Sequence, residues 1–154
     1  MRQMRALVLL GLMIVVTAVA STVARSTQNK NEIAGSTPEE IKWFTPPFYK
    51  DGRQRAQLLG DSAQGGFWID RVKIPSGGRV LAHRHPHDEM VTVIEGTWYV
   101  GKGERFDAAK LKGYPAGSFI VIPAGLPHFV VAKDGSVIVQ VSGNGKFDTE
   151  YLEK

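Results

Sequence analysis

The chain contains no cysteine among its 154 residues. A disulfide framework, a thiolate metal ligand and a thiol nucleophile are therefore all excluded. Histidine is scarce as well: there are four in the chain, and three of them fall within residues 83–87. Lysine and arginine form no run of five, so the sequence predicts no nucleic-acid partner.

Long apolar runs are also missing, except at the N-terminus. Arg2 and Arg5 precede an apolar stretch that extends from residue 6 to about residue 20, where small residues follow. This pattern is typical of a secretory signal peptide, which we assign to residues 1–20 with cleavage after Ala20 or Ala24. The alternative is an uncleaved membrane anchor, but the run is shorter than the roughly 20 residues that span a bilayer. We therefore expect a periplasmic or secreted protein that has no membrane association after cleavage.

The rest of the chain is organised as a linker and one domain. Residues 21–36 are polar and aperiodic and are predicted to be a flexible linker, and residues 37–154 are predicted to be a single domain. The stretch STPEEIKWF, residues 36–44, has helix-start residues and predicts one short helix before Pro46. From Gln54 onward about eight short apolar runs are separated by glycine or proline, and a second helical turn is predicted in FDAAKLK, residues 106–112. This pattern predicts an all-β barrel or two-sheet structure.

The histidine cluster has the spacing of a metal site. In an extended segment His83 and His85 project from the same face, and Glu89 starts the next apolar run, so two imidazoles and a carboxylate can converge. Such groups suit divalent transition metals. Taken alone, the pair of histidines favours the other interpretation, surface residues beside a turn.

Two longer motifs support the metal hypothesis. The first reads G-x5-H-x-H-x3-E-x6-G and the second G-x5-P-x-G-x2-H, in the positions Gly77, His83, His85, Glu89 and Gly96, and Gly117, Pro123, Gly125 and His128. In this order they resemble the two signature motifs of the cupin family. The resemblance implies a jelly-roll β-barrel that holds one divalent transition metal ion (Mn, Fe, Ni or Zn). It also implies the metal ligands, which are His83, His85, Glu89 and His128.

Other site residues are hypotheses of lower weight. His87 lies between two implied ligands and is open to three interpretations: an extra ligand, a proton shuttle or an exposed loop residue, of which the corner at residues 86–88 favours the last. Tyr99 is the other candidate for proton transfer. Inward strand positions would form the wall of a substrate cavity, and the candidates there are Trp68, Phe119 and Gln140.

The resemblance does not determine the function, because one fold supports many activities. Three imidazoles and one carboxylate would leave two positions open on an octahedral ion, which favours a small metalloenzyme of dioxygenase, lyase or isomerase type. Its substrate would be a small oxyanion or hydroxylated molecule. The alternative is a metal-dependent protein that binds or senses a small molecule without turnover. Cupins of this size often pair, so we expect a homodimer.

Overall fold

The structure, a computed structural model, describes residues 31–153. The predicted signal peptide, residues 1–20, and linker residues 21–30 lie outside the described residues. The chain divides into two units, Met1–Gly35 and Ser36–Lys154, and all the described strands belong to the second. Within residues 31–153 no helix is both long and apolar enough to cross a bilayer.

Ten strands and one 3-10 helix are present in the described part of the chain. The strands are β1 Gln54–Leu59, β2 Phe67–Ile74, β3 Arg79–Arg84, β4 Glu89–Glu95, β5 Thr97–Lys102, β6 Lys112–Pro115, β7 Phe119–Ile122, β8 His128–Val131, β9 Val137–Asn144 and β10 Glu150–Tyr151, with the helix at Ala108–Lys110. Eight of the strands match the predicted apolar runs. The helix falls in the predicted FDAAKLK segment, where the Asp107 side chain accepts a hydrogen bond from the Ala109 amide.

The strands form two antiparallel five-stranded sheets. One has the order β1-β2-β9-β4-β7 and the other the order β10-β3-β8-β5-β6. Side chains alternate between the faces of each strand, and in β9 Val137, Val139 and Val141 are buried while the residues between them are not. Burying one valine contributes about 1.5–3 kcal/mol, so these inward rows hold the sheets together. The predicted all-β jelly roll is confirmed.

The predicted N-terminal helix is wrong. Residues 38–40 form a single turn, in which the Glu40 amide donates to the Thr37 carbonyl at 3.1 Å and the Glu40 side chain accepts from the Thr37 amide at 2.8 Å. The helix-start chemistry is therefore present, but the chain then becomes extended because Phe44 pairs with Arg55 of β1 through two backbone hydrogen bonds. Pairing with the sheet overrides the local preference.

Candidate metal centre

Two of the histidines face each other on neighbouring strands. His83 in β3 and His128 at the start of β8 are direct partners in the sheet register, and their ring centroids are 4.2 Å apart. A register irregularity lies between Val80 and His83. Val80 faces the interior, and strict alternation from it would turn His83 outward, so the irregularity is what directs His83 inward.

His85 joins this pair from the segment that follows β3. It lies two residues after His83, and its ring centroid is 4.9 Å from that of His83 and 5.4 Å from that of His128. Each of the three rings offers one ligand atom, and these atoms all lie within 4.8 Å of one another. All three side chains are buried. The three histidines could therefore bind one metal ion.

Backbone carbonyls determine which nitrogen of each ring is available. The Nδ1 atoms of His83, His85 and His128 lie 2.6, 2.7 and 3.0 Å from the carbonyl oxygens of Leu81, Asp148 and Leu126 respectively. A carbonyl only accepts hydrogen bonds, so each Nδ1 must carry the proton and each Nε2 must be free to accept or to ligate. Metal-binding histidines are commonly oriented in this way.

Glu89 brings a carboxylate to the same point. It is the first residue of β4, is buried, and its Oε2 atom lies 3.5 Å from His128 Nε2 and 3.8 Å from His85 Nε2. Among residues 31–153 neither Glu89 Oε2 nor His128 Nε2 has a hydrogen-bond partner. A cation held between these atoms would satisfy both, so the residues present fit a divalent metal ion.

The electrostatics of the cluster keep the rings of His83 and His85 neutral. Burial, together with repulsion from His128 and His85, lowers the pKa of His83 to about 3, and burial also lowers the pKa of His85. Burial acts to raise the pKa of Glu89, but the surrounding imidazoles outweigh it and the pKa lies below its ordinary value. Neutral imidazoles beside an ionised carboxylate are the protonation states that a metal ion requires.

The two loops that carry the cluster are bonded to each other. The Gly125 amide donates to the His85 carbonyl at 2.8 Å, and the Ala124 amide donates to the Asp88 side chain at 2.8 Å. Gly125 has φ of 72°, a conformation that glycine adopts without strain. The glycine of the second motif thus helps to hold residues 85–88 of the first motif beside His128.

The cluster opens into a cavity of about 530 Å³. This volume lies in the range typical of small-molecule sites. Most of the wall is apolar and comes from inward strand positions, namely Trp68, Val72, Ile74, Val80, Trp98, Val130, Val139 and Val141. Arg53, Arg55 and Asp70 also line the cavity.

Side chains from the edges of both sheets meet in one part of the cavity lining. Arg53, just before β1, donates from Nη2 to the hydroxyl of Tyr151 in β10 at 3.0 Å, and its guanidinium lies 4.0 Å from the centre of the Tyr49 ring. Tyr151 in turn contacts His83, with ring centroids 5.7 Å apart. This part of the lining thus consists of two phenol groups and a guanidinium that is ion-paired with Asp51.

The structure brings the four implied ligands together, and Trp68 lines the cavity as expected. His87, Tyr99, Phe119 and Gln140 do not line it. His87 is exposed at the predicted corner, Tyr99 donates a hydrogen bond to Asp134 at the surface, and Phe119 is 64% exposed. Gln140 alternates with Val139 and Val141, which face the interior, so its side chain lies on the opposite face of β9.

Sequence reasoning missed the polar residues of the cavity. Asp70 could have been predicted as a site residue. It occupies an inward position of β2 between Trp68 and Val72, where every other inward residue is apolar. Arg53 and Tyr151 carried no comparable signal, since one precedes a strand and the other lies in a strand of two residues.

A small jelly roll with a cavity lined by three histidines belongs to the class of β-barrel proteins with a candidate metal site. Comparison with known proteins gives the family. The family model described as "Cupin domain" matches residues 70–142, and the chain belongs to the cupin superfamily. Auxin-binding protein ABP19a of Prunus persica is 31% identical over 105 residues, which are 68% of this chain and 47% of that protein. The chain therefore spans about half the length of this relative.

Solved structures show the same fold. The polyketide cyclase RemF of Streptomyces resistomycificus has a TM-score of 0.64 at 17% identity, covering 80% of this chain and 87% of that one. An oxalate oxidase in complex with glycolate has a TM-score of 0.53 at 26% identity, covering 67% of this chain and 56% of that one.

Proposed function

We propose that the protein is a metal-dependent enzyme that acts on a small carboxylate or hydroxylated substrate. The observation that carries this proposal is the set of three Nε2 atoms and one carboxylate oxygen that meet inside a cavity large enough for a small molecule. A purely structural metal site would have no such space beside it.

The proposed ligands are His83, His85, Glu89 and His128, and the ion is Mn, Fe, Ni or Zn. When bound, a divalent ion supplies Lewis-acid polarisation of a substrate oxygen. The chain's own residues position the substrate. The apolar walls exclude water from the reacting end, and Arg53, which is ion-paired with Asp51 at 2.7 Å, lies in the cavity lining.

The enzyme hypothesis is tested by metal content and turnover. We expect purified protein to contain about one divalent transition metal ion per chain and to consume oxygen, or to change the mass of the compound, with at least one of oxalate, glycolate, catechol or hydroxybenzoate. Oxygen uptake and mass spectrometry measure this. Protein that is isolated without bound metal, and that takes up none of the four candidate ions on titration, would remove the basis of the proposal.

A second candidate is a metal-dependent binding protein. The observation in its favour is the similarity to a protein named for binding auxin. Metal-loaded protein that binds one of the small acids, yet leaves every tested compound unchanged with and without oxygen, would favour this candidate over the enzyme.

We also propose that the protein is exported and forms a homodimer. Export rests on the N-terminal pattern of residues 1–24. It is tested by measuring the molecular mass of the protein purified from the cell envelope, which is lower than that of the full chain if the signal peptide has been cleaved. The dimer proposal is supported by Phe119 and Val121, which are 64% and 50% exposed on the edge strand β7. Exposed apolar edge strands favour pairing, and sedimentation of the purified protein at micromolar concentration tests this.

A further inference from the structure

Asp70 is a charged residue in the inner wall of the cavity, away from the histidine cluster. It lies in β2 at an inward position and is 1% exposed. Both Nε and Nη2 of Arg55 bond to one of its oxygens, Oδ2. The other oxygen, Oδ1, has no hydrogen-bond partner in the part of the chain that the structure describes. One acceptor atom on this wall is therefore unused.

Trp98 also lines the cavity, and it carries a second buried polar atom without a partner among the described residues. It lies in β5, is 3% exposed and lines the cavity, and no group within residues 31–153 accepts a hydrogen bond from its Nε1. Trp68 provides the contrast, because its Nε1 donates to the Gly145 carbonyl at 2.9 Å. The wall thus holds one free acceptor and one free donor.

The sheet register gives the depth of both residues. Asp70 pairs with Val141, which pairs with Val91, and Val91 is two residues along β4 from Glu89. At about 3.3 Å per residue, Asp70 lies roughly 7 Å below the histidine cluster. Lys102 pairs with His128, and Trp98 is four residues from Lys102, so Trp98 lies roughly 13 Å below it.

The wall between these levels is apolar, with Val72, Val130, Val139 and Val141 facing the cavity. A buried polar atom without a partner costs free energy, which a ligand recovers if it supplies that partner. Sites of this kind discriminate strongly against analogues that lack the matching group. The cavity is therefore suited to a molecule with an apolar body and a hydrogen-bond donor at a fixed distance from its other end.

We propose that Asp70 is a specificity-determining residue, which accepts a hydrogen bond from a hydroxyl group of a carboxylic acid whose carboxylate end lies at the histidine cluster. Trp98 donates to an oxygen atom of longer ligands of the same class. This inference rests on the proposed function, because it assumes that the metal site binds the carboxylate end. The inference adds the chemistry of the ligand's other end, which is a hydroxyl group on an apolar body.

The test uses the metal-loaded protein and a matched series of probes: benzoate, its ortho-, meta- and para-hydroxy derivatives, and the corresponding methoxy derivatives. We expect at least one hydroxybenzoate to bind about tenfold more tightly than benzoate and than its own methoxy analogue, measured by calorimetry. Equal affinity of benzoate and all three hydroxybenzoates would overturn the proposal, and so would failure of the whole series to bind.

The variant Asp70→Asn inverts the polarity of the site. The amide oxygen takes the place that faces Arg55, so the amide nitrogen takes the place of Oδ1 and offers a donor where the parent offers an acceptor. We expect the preference for hydroxy over methoxy probes to disappear or reverse, with each probe compared with benzoate in the same variant. A hydroxy preference that survives in this variant contradicts the assignment.

Metal content separates this inference from the proposed function. If the parent protein takes up no metal, the proposed function fails. If the parent takes up metal and binds benzoate but gains nothing from a hydroxyl, only the present inference fails. Should Asp70→Asn not fold, a crystal structure of the parent with its tightest hydroxybenzoate decides the question, because the hydroxyl oxygen must lie within about 3 Å of Asp70 Oδ1.

Discussion

Replacing His128 with alanine is expected to reduce metal affinity by more than about 100-fold and to leave the barrel folded. Loss of a group that only orients a metal ligand already costs roughly 10–100-fold, and His128 is a proposed ligand itself. The ring lies at the cavity wall, while the sheets are held by valine and tryptophan side chains elsewhere, so unfolding is not expected. Metal titration followed by calorimetry measures the change.

His87→Ala is the matched control for this prediction. It also removes one of the four histidines and comes from the loop between β3 and β4, but its side chain is exposed and does not line the cavity. We expect its metal affinity to stay within about twofold of the parent. An alanine variant of His128 that binds metal as tightly as the His87 variant would show that the ligand assignment is incorrect.

The metal-free protein is expected to lose stability steadily as the pH falls from about 6.5 toward 3. The pKa of His83 in the folded protein is about 3, whereas an unfolded histidine titrates near 6.5. Between these values the unfolded chain binds a proton that the folded chain does not, so acid favours unfolding. One such histidine lowers the free energy of unfolding by about 1.4 kcal/mol per pH unit, and His85, whose pKa is also lowered, adds in the same direction.

Urea unfolding of chelator-treated protein at a series of pH values measures this slope. The variant His83→Asn removes the titrating ring at the same position, and its slope is expected to be smaller by about one proton. The metal-loaded protein is expected to release its ion where acid unfolds the chain, because the His83 ring stays neutral in the folded protein until the pH approaches 3. Stability of the metal-free parent that is flat from pH 7 to 4.5 would contradict the buried, neutral cluster.

The strands were predictable where apolar residues alternate and glycine or proline marks the ends. β6 and β10 were not, for a physical reason. β6 reads KGYP and β10 has two residues, so neither has the length or composition to form a strand alone, and each exists because it pairs with an edge of an existing sheet. The N-terminal turn does not continue as a helix for the same reason, since Phe44 pairs with Arg55 of an existing sheet.

The histidine cluster was predictable because its residues are rare and their spacing is regular. The direction in which a strand residue points was harder to predict when both faces of the strand are apolar. In β7, with sequence FIVI, both sets of alternate residues are apolar, so the sequence does not indicate which set faces the core. Phe119 belongs to the set that is exposed. In β9, Gln140 is the polar residue of an apolar run, and it lies on the face that the inward valines leave free. The ion pair between Asp70 and Arg55 forms because β1 and β2 are neighbours in the sheet, and a local sequence pattern does not show which strands are neighbours.

One hydrogen bond described above extends the site along the chain. The carbonyl that orients His85 belongs to Asp148, beyond residue 142, where the matched family region ends. A version of the chain shortened to residue 147 would keep all four proposed ligands, yet it would lose this carbonyl and also β10, which pairs with β3 at His83. Engineering that treats the C-terminal tail as dispensable would thereby weaken metal binding without changing a single coordinating residue.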